Sequence, residues 1–176
     1  MNSDSAPNRE GEINEWMKAY GNDILRLCYL YLSDLHLAED ALQEAFLKAY
    51  IHHADFRGGS SPKTWLTSIA LNCCKSLRRG TWFRLTDRHA SLDAMPDVGE
   101  FMPQPDHTVV SEIGKLPDKL KQVVILFYYE ELKQKEIAEL LHITETAVSV
   151  RLTRARAKLK NNLKGWYEHE LAEERD

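Results

Sequence analysis

Glu136–Lys160 reads EIAELLHITETAVSVRLTRARAKLK, and two different periods in it decide the fold. Ile137, Ala138 and Leu141 are spaced as one face of a short helix. His142, Ile143 and Thr144 break that pattern, and the Thr144 hydroxyl can cap a second helix. Val148, Leu152, Ala155 and Leu159 then recur every three or four residues, which makes a single buried stripe. Ser149, Val150, Thr153, Arg154 and Arg156 must turn largely away from it. A short helix, a tight turn and a longer helix that exposes hydroxyls and guanidiniums form a helix-turn-helix suited to a DNA major groove. The competing reading is an amphipathic helical hairpin with solvated arginines. The turn length, the small Ala138 at the crossing point and the cationic outer face favour DNA.

Upstream, Pro117 opens PDKLKQVVILFYYEEL, whose load of Val124, Ile125, Phe127 and Tyr128 supplies the scaffold for that motif. Helical periods run through the rest of the chain, with no strand-like alternation of any length and no internal repeat. The fold class is therefore all-α. Gly21–Leu32 reads as a strongly apolar helix. A second helix, about Leu37–His52, has a stripe of Ala38, Ala41, Leu42, Ala45, Phe46 and Ala49 whose small side chains allow close packing. Its opposite face carries Glu39, Asp40, Gln43, Glu44 and Leu47. A loop at Asp55–Ser60 leads to a third helix, with Ser61 as cap and Pro62 at the first position, where a missing N–H costs nothing. There Trp65, Leu66, Ile69, Ala70, Cys73 and Leu77 face inward. Lys63, Thr64, Thr67, Ser68, Asn72, Lys75 and Arg79 lie on or near the other side.

Met95-Pro96, Val98-Gly99, Met102-Pro103 and Gln104-Pro105 interrupt any helix. The chain thus divides into two small helical domains, 10–80 and 112–170, joined by an extended acidic, proline-containing linker at 81–111. The formal net charge of −4 hides a strong segregation. Residues 57–88 carry seven basic and one acidic side chain, and residues 113–164 carry eleven and six. Residues 89–112 carry five acidic side chains and no basic one. Two separate basic blocks imply two local contacts with a polyanion rather than a general affinity for one.

Several classes are excluded. No run approaches the ~20 apolar residues of a membrane span, and the polar opening MNSDSAPNRE lacks the apolar core of a signal peptide. Cys28, Cys73 and Cys74 give neither a disulfide framework nor zinc-ligand spacing, and they read as core or near-core thiols of a reducing cytoplasm, with redox sensing the lesser alternative. No nucleophile–base pair, metal cluster or phosphate-binding glycine loop is present, so no catalytic site, metal or cofactor is expected. His52-His53 reads as a capping or surface pair.

Three segments in this order resemble the extracytoplasmic-function group of bacterial sigma factors: AEDALQEAFLKAY at 38–50, FRGGSSPKTWLTSIALNCCKSLRR at 56–79 and LPDKLKQVVILFYYEELKQKEIAELLHITETAVSVRLTRARAKL at 116–159. The resemblance implies sigma region 2 and region 4 domains, and an alternative sigma factor that brings core RNA polymerase to promoters. It implies that Asp40, Gln43, Glu44 and Leu47 dock on the clamp helices of core polymerase. A carboxylate cluster with one apolar anchor suits a basic, partly apolar partner.

The resemblance further implies that the loop at 56–61 and the helix after it grip the −10 element and hold an unstacked base of the single non-template strand. Arg57, Gly58, Ser60 and Ser61 belong to that loop. Lys63, Lys75, Arg78 and Arg79 would bind phosphates, and Ser68 and Asn72 would touch base edges. Trp65 could stack on a base, but its helical phase favours core packing; Trp82 and Phe83, beside Arg84, are weaker candidates for strand or partner contact. In the −35 duplex, Arg154 matches the two acceptors of guanine. Arg151 and Arg156 would hold phosphates, with Thr146, Ser149 and Thr153 at the groove floor or wall. The linker would thread near the RNA exit path, and an anti-sigma factor is an expected partner.

Three positions depart from the family pattern. His142 stands where Gly is common, although His tolerates the left-handed conformation. Val150 replaces a small polar residue and can meet a thymine methyl. Pro62 replaces an aromatic beside the base-holding loop. The alternative function is a stand-alone helix-turn-helix regulator, which would need a dimerisation element that the sequence does not display.

Overall fold

The computed structural model describes residues 9–85 and 107–173, with side chains placed for residues 9–80 and 109–163. The described residues are helical throughout, apart from short connections. The chain falls into two compact units, Met1–Asp97 and Val98–Asp176. Residues 86–106 of the expected linker lie outside the described residues, as do the side chains of Trp82, Phe83 and Arg84, whereas its two ends, 81–85 and 107–111, are helical rather than extended.

In the first unit, α1 (Arg9–Leu32), α2 (Leu35–Ile51) and α3 (Pro62–Leu85) pack on one another, with a single 3-10 turn at His53–Asp55. α1 begins twelve residues before the expected Gly21 start. The reason is local: Ile13, Trp16 and Tyr20 continue the apolar phase through a polar-looking stretch, and Ile13 is buried. Gly21 therefore lies inside a helix. α3 runs to Leu85, beyond the expected end near 80.

The α1–α2 hairpin is closed by two residues. Ser33 takes a positive φ of 55°, and its N–H donates to the Tyr29 carbonyl at 2.8 Å, which ends α1. Asp34 caps α2 by accepting from the Leu37 N–H at 2.9 Å. Ala38, Ala41, Ala45 and Ala49 are all fully buried, so α2 lies close against its neighbours. Leu27, Leu30, Tyr31, Phe46, Leu66 and Leu71 fill the core between the three helices. Each large apolar side chain so buried stabilises by roughly 1.5–3 kcal/mol before entropy is counted. Thr67, expected on the outer side of α3, is buried instead, together with Leu71 and Cys74. The inward face of α3 is wider than the stripe read from sequence, because α1 and α2 both cover it.

The second unit contains α4 (His107–Lys115), α5 (Asp118–Tyr128), α6 (Gln134–Leu141) and α7 (Glu145–Glu173). Val110, Ile113, Val123, Val124, Leu126, Ile137, Val148, Leu152 and Ala155 form its core. The α6–α7 turn follows the chemistry expected of it. His142 adopts φ 53°, ψ 48°, and the Ile143 N–H donates back to the Ala138 carbonyl at 3.0 Å. Thr144 Oγ1 then accepts from the Ala147 N–H at 3.1 Å and starts α7. At the other end of α6, the Lys133 N–H donates to the Glu136 carboxylate at 2.7 Å.

Candidate functional site

Three exposed surfaces carry the candidate residues, two on the first unit and one on the second. On α2, Asp40 and Gln43 are exposed and Leu47 is 59% exposed, as its phase requires. Glu44 is half-buried and paired with Lys48 at 2.7 Å, one turn on. The Glu44 hydrogen bond is the main reason the Lys48 pKa is raised. The apolar part of this face is larger than expected, since Tyr50 and Ile51 are also exposed. Their spacing from Leu47, three and four residues, was the signal that could have found them.

The loop before α3 has the openness its glycines promise. Gly58 takes φ 70°, and a Cβ at Gly58 or Gly59 would meet no atom within 4 Å. Arg57, Gly58, Gly59, Ser60 and Ser61 are all exposed. The Ser61 hydroxyl is already used: it accepts from the Thr64 N–H at 3.1 Å and bonds the Thr64 hydroxyl at 2.9 Å. Its role in this structure is to cap α3.

Beneath the loop lies an aromatic cluster. Phe56 and Trp65 sit 5.2 Å apart, and Trp16 packs edge-on against both, at 5.2 Å from Phe56 and 6.0 Å from Trp65. Trp65 therefore packs in this cluster, in keeping with its phase. His53 stacks on Trp16 at 5.5 Å and bonds Glu12 at 2.7 Å. It is buried, so the surface reading of the His52-His53 pair holds for His52 alone. The His53–Glu12 bond ties the turn before the loop to α1.

Along α3, Ser68, Asn72, Lys75 and Arg79 follow one another at helical spacing. Asn72, Arg78 and Arg79 are exposed, and Ser68 and Lys75 are half-buried. Arg79 Nε donates to the Lys75 carbonyl at 3.3 Å. Lys63 stands apart from this group. Its Nζ is 2.7 Å from Asp23 of α1, and this ion pair anchors the start of α3. A long basic side chain near a basic loop reads as a phosphate ligand in one dimension; only the packing of α1 reveals its carboxylate.

On the second unit, Thr146, Ser149, Val150, Thr153, Arg154 and Arg156 are exposed along α7, and Arg151 is half-buried. The Thr153 hydroxyl donates to the Ser149 carbonyl at 3.0 Å, leaving its oxygen as an acceptor. Arg154 and Arg156 leave the helix on different flanks. Arg154 lines an open groove of about 480 Å3 with Arg151, Lys158 and Ala157 of α7 and Pro117, Lys119 and Leu120 of α5. Its four cationic side chains suit contact with a nucleic acid. Lys119 was not legible as part of this surface, because only the α5–α7 packing brings it there.

Arg156 lies against the other end of α5. Its Nε donates to the Tyr128 hydroxyl at 2.8 Å, and its guanidinium lies 5.7 and 5.8 Å from the Phe127 and Tyr128 ring centres. Tyr128, expected as scaffold, is 50% exposed.

Cys28, Cys73 and Cys74 are free and buried, and burial pushes the Cys73 thiol up to about 11, with Glu44 adding to the shift. Such a thiol has little nucleophilic thiolate at neutral pH. Among the described residues no helix is long and apolar enough to cross a membrane, and no group of His, Cys, Asp and Glu could hold a metal ion.

Comparison with known proteins places both units. The pattern described as Sigma-70 region 2 matches residues 16–84, and that described as Sigma-70, region 4 matches residues 108–159. The chain is 32% identical over 159 residues to the ECF RNA polymerase sigma factor SigW of Bacillus subtilis, covering 82% of this chain and 85% of that protein. It is also 32% identical over 154 residues to SigM of the same organism, covering 84% of this chain and 93% of SigM. Among solved structures, the sigma factor RpoE of Bartonella quintana, in complex with the anti-sigma factor NepR, shares the fold. Its TM-score is 0.69 at 21% identity, covering 88% of this chain and 96% of that one. CnrH, solved with the cytosolic domain of CnrY, gives 0.67 at 23% identity, covering 89% and 90%.

Proposed function

The chain belongs to the extracytoplasmic-function group of RNA polymerase sigma factors, and on that premise we propose how its surfaces divide the work. It is an alternative sigma factor that directs transcription initiation, and it is not an enzyme. Its first domain, residues 10–80, docks on core polymerase and opens the −10 element. Its second, which begins at α4 (His107–Lys115) rather than at residue 112, reads the −35 element, and the acidic, proline-containing segment between α3 and α4 joins them.

Docking falls to Asp40, Gln43, Glu44 and Leu47, extended by Tyr50 and Ile51. The observation that carries this assignment is the exposure of a carboxylate row running into an apolar strip on one helix. A solvated helix face needs no such strip, whereas a polymerase-docking face needs an apolar centre with charges around it.

The −10 contact is made by Arg57, Gly58, Ser60, Asn72, Lys75, Arg78 and Arg79, with Ser61 and Lys63 fixing the start of α3 and Ser68 at the edge. The open glycine backbone admits an unstacked base, and the aromatic cluster underneath keeps the loop in place. Holding the base there offsets the few kcal/mol that unstacking costs. The −35 contact is made by Arg154 at a base edge, Val150 against a thymine methyl, and Thr146, Ser149 and Thr153 along the groove. Arg151 and Arg156 hold phosphates. Each contact alone is weak, and the tether raises the effective concentration of the second once the first has formed. The protein acts in the cytoplasm, where an anti-sigma factor is a fitting partner, since the fold is shared with a sigma factor solved in complex with an anti-sigma factor.

Core polymerase captured by the full-length chain tests the docking face. Reversing both charges in Asp40→Lys/Glu44→Lys should abolish capture while thermal unfolding stays close to wild type, because a partly exposed i,i+4 pair such as Glu44–Lys48 is worth only about 0.3–0.5 kcal/mol. Undiminished capture by this variant would move the docking face elsewhere.

A further inference from the structure

We propose that Tyr128 is a positioning residue for DNA binding: it holds the Arg156 guanidinium in one orientation, ready for a backbone phosphate. The inference rests on the assignment of Arg156 as a phosphate ligand and specifies how that ligand is held. Three observations converge on it. Arg156 Nε donates to the Tyr128 hydroxyl at 2.8 Å, across 28 positions of sequence and from α7 to the last residue of α5. The guanidinium lies within 6 Å of both aromatic ring centres, at 5.7 Å from Phe127 and 5.8 Å from Tyr128. The two rings are perpendicular, 81° at 5.0 Å, so they meet the guanidinium with differently oriented surfaces.

An arginine side chain carries about 2 kcal/mol of rotamer freedom, which a phosphate contact must otherwise remove. Arg156 gives up part of it before DNA arrives. Its planar fork has five N–H donors, and the tyrosine takes the one on Nε. Among the described residues the Nη groups make no hydrogen bond, so they keep the paired geometry that matches two phosphate oxygens. The clamp is attached to α5, whose Leu120, Val123, Val124, Ile125 and Leu126 are buried in the domain core. The guanidinium is thereby referenced to a rigid element rather than to its own flexible stem.

Tyr128 is itself half exposed, and a ring of that size left at the surface is poorly explained as core filling. The opposite flank of α7 offers a contrast, where Arg154 lines an open groove without such a clamp. Fixing the guanidinium in advance lowers the ordering cost of holding a phosphate.

The experiment is a double-mutant cycle on full-length protein with core polymerase. Promoter affinity is measured against salt for wild type, Tyr128→Phe, Arg156→Ala and the double variant. Tyr128→Phe keeps the ring and removes only the hydroxyl, so folding is not at stake. It should weaken promoter binding about fivefold, the worth of one ordinary hydrogen bond, and weaken random duplex equally. Arg156→Ala should lower the slope of log affinity on log salt by about 0.9, the signature of one lost phosphate contact. In the Arg156→Ala background, Tyr128→Phe should have no further effect. A Tyr128→Phe loss that persists without Arg156, or no loss at all, overturns the proposal. Wild-type protein that fails to bind promoters with core polymerase would instead overturn the assignment of function beneath it.

Discussion

Replacing Arg154 with alanine separates reading from gripping on the −35 side. Arg154 is exposed and stands in a groove whose other cations are Lys119, Arg151 and Lys158. Its removal should leave thermal stability within about 0.5 kcal/mol, as for surface positions generally. If Arg154 binds a guanine through both acceptors, the loss falls on cognate promoter alone and amounts to about 1–3 kcal/mol. That corresponds to roughly 5–150-fold in discrimination. If it binds a phosphate, cognate and random duplex weaken together, and the salt slope drops by about 0.9. The three remaining cations keep most of the sequence-independent attraction in either case, so the variant still binds and the two outcomes can be told apart. The assay is competition between a cognate promoter and random duplex of equal length for the polymerase-bound protein, repeated across a salt series. Arg151→Ala supplies the phosphate-type reference. Equal losses on both duplexes with Arg154→Ala would refute the base contact.

Gly21→Ala should stabilise the first domain by about 0.5–1 kcal/mol, read from chemical denaturation, because Gly21 lies inside α1 and an added Cβ would approach only Met17 Cγ, at 3.9 Å. Gly58→Ala meets no atom but must hold φ 70°, so it should cost about 1 kcal/mol and slow promoter opening, measured by permanganate reactivity of unpaired thymines. Glu112 is held below its ordinary pKa of 4.5, chiefly by the Lys115 hydrogen bond and also by Asn162 at 2.8 Å. Its carboxylate therefore stabilises the second domain above the unfolded pKa, and that contribution is lost as pH falls through the lower folded value. Glu112→Gln should flatten the acid limb of a stability–pH curve measured below about pH 4.5, and an unchanged limb would place the effect elsewhere.

What the sequence made legible follows from the range of each interaction. The α6–α7 turn was readable in detail because its devices are local: His142 in the left-handed conformation and Thr144 as cap act within three residues. The alanine face of α2 was readable for the same reason. The first half of α1 was missed, since Ile13, Trp16 and Tyr20 are diluted among polar residues and Gly21 reads as a boundary. Side-chain roles that depend on a distant partner were the least accessible. Lys63 meets Asp23, His53 meets Glu12, and Arg156 meets Tyr128, each across 28 or more positions. Lys119 joins the Arg154 groove only through packing of α5 on α7. Single-helix phase shows which residues are outside; it does not show which of them are already engaged.

The most direct test is run-off transcription from a library of promoter variants, using core polymerase with and without the purified full-length chain. The chain should convert core enzyme from random to defined initiation, with start sites downstream of paired elements at −10 and −35. Initiation that stays random, on a template the chain occupies without polymerase, would contradict it.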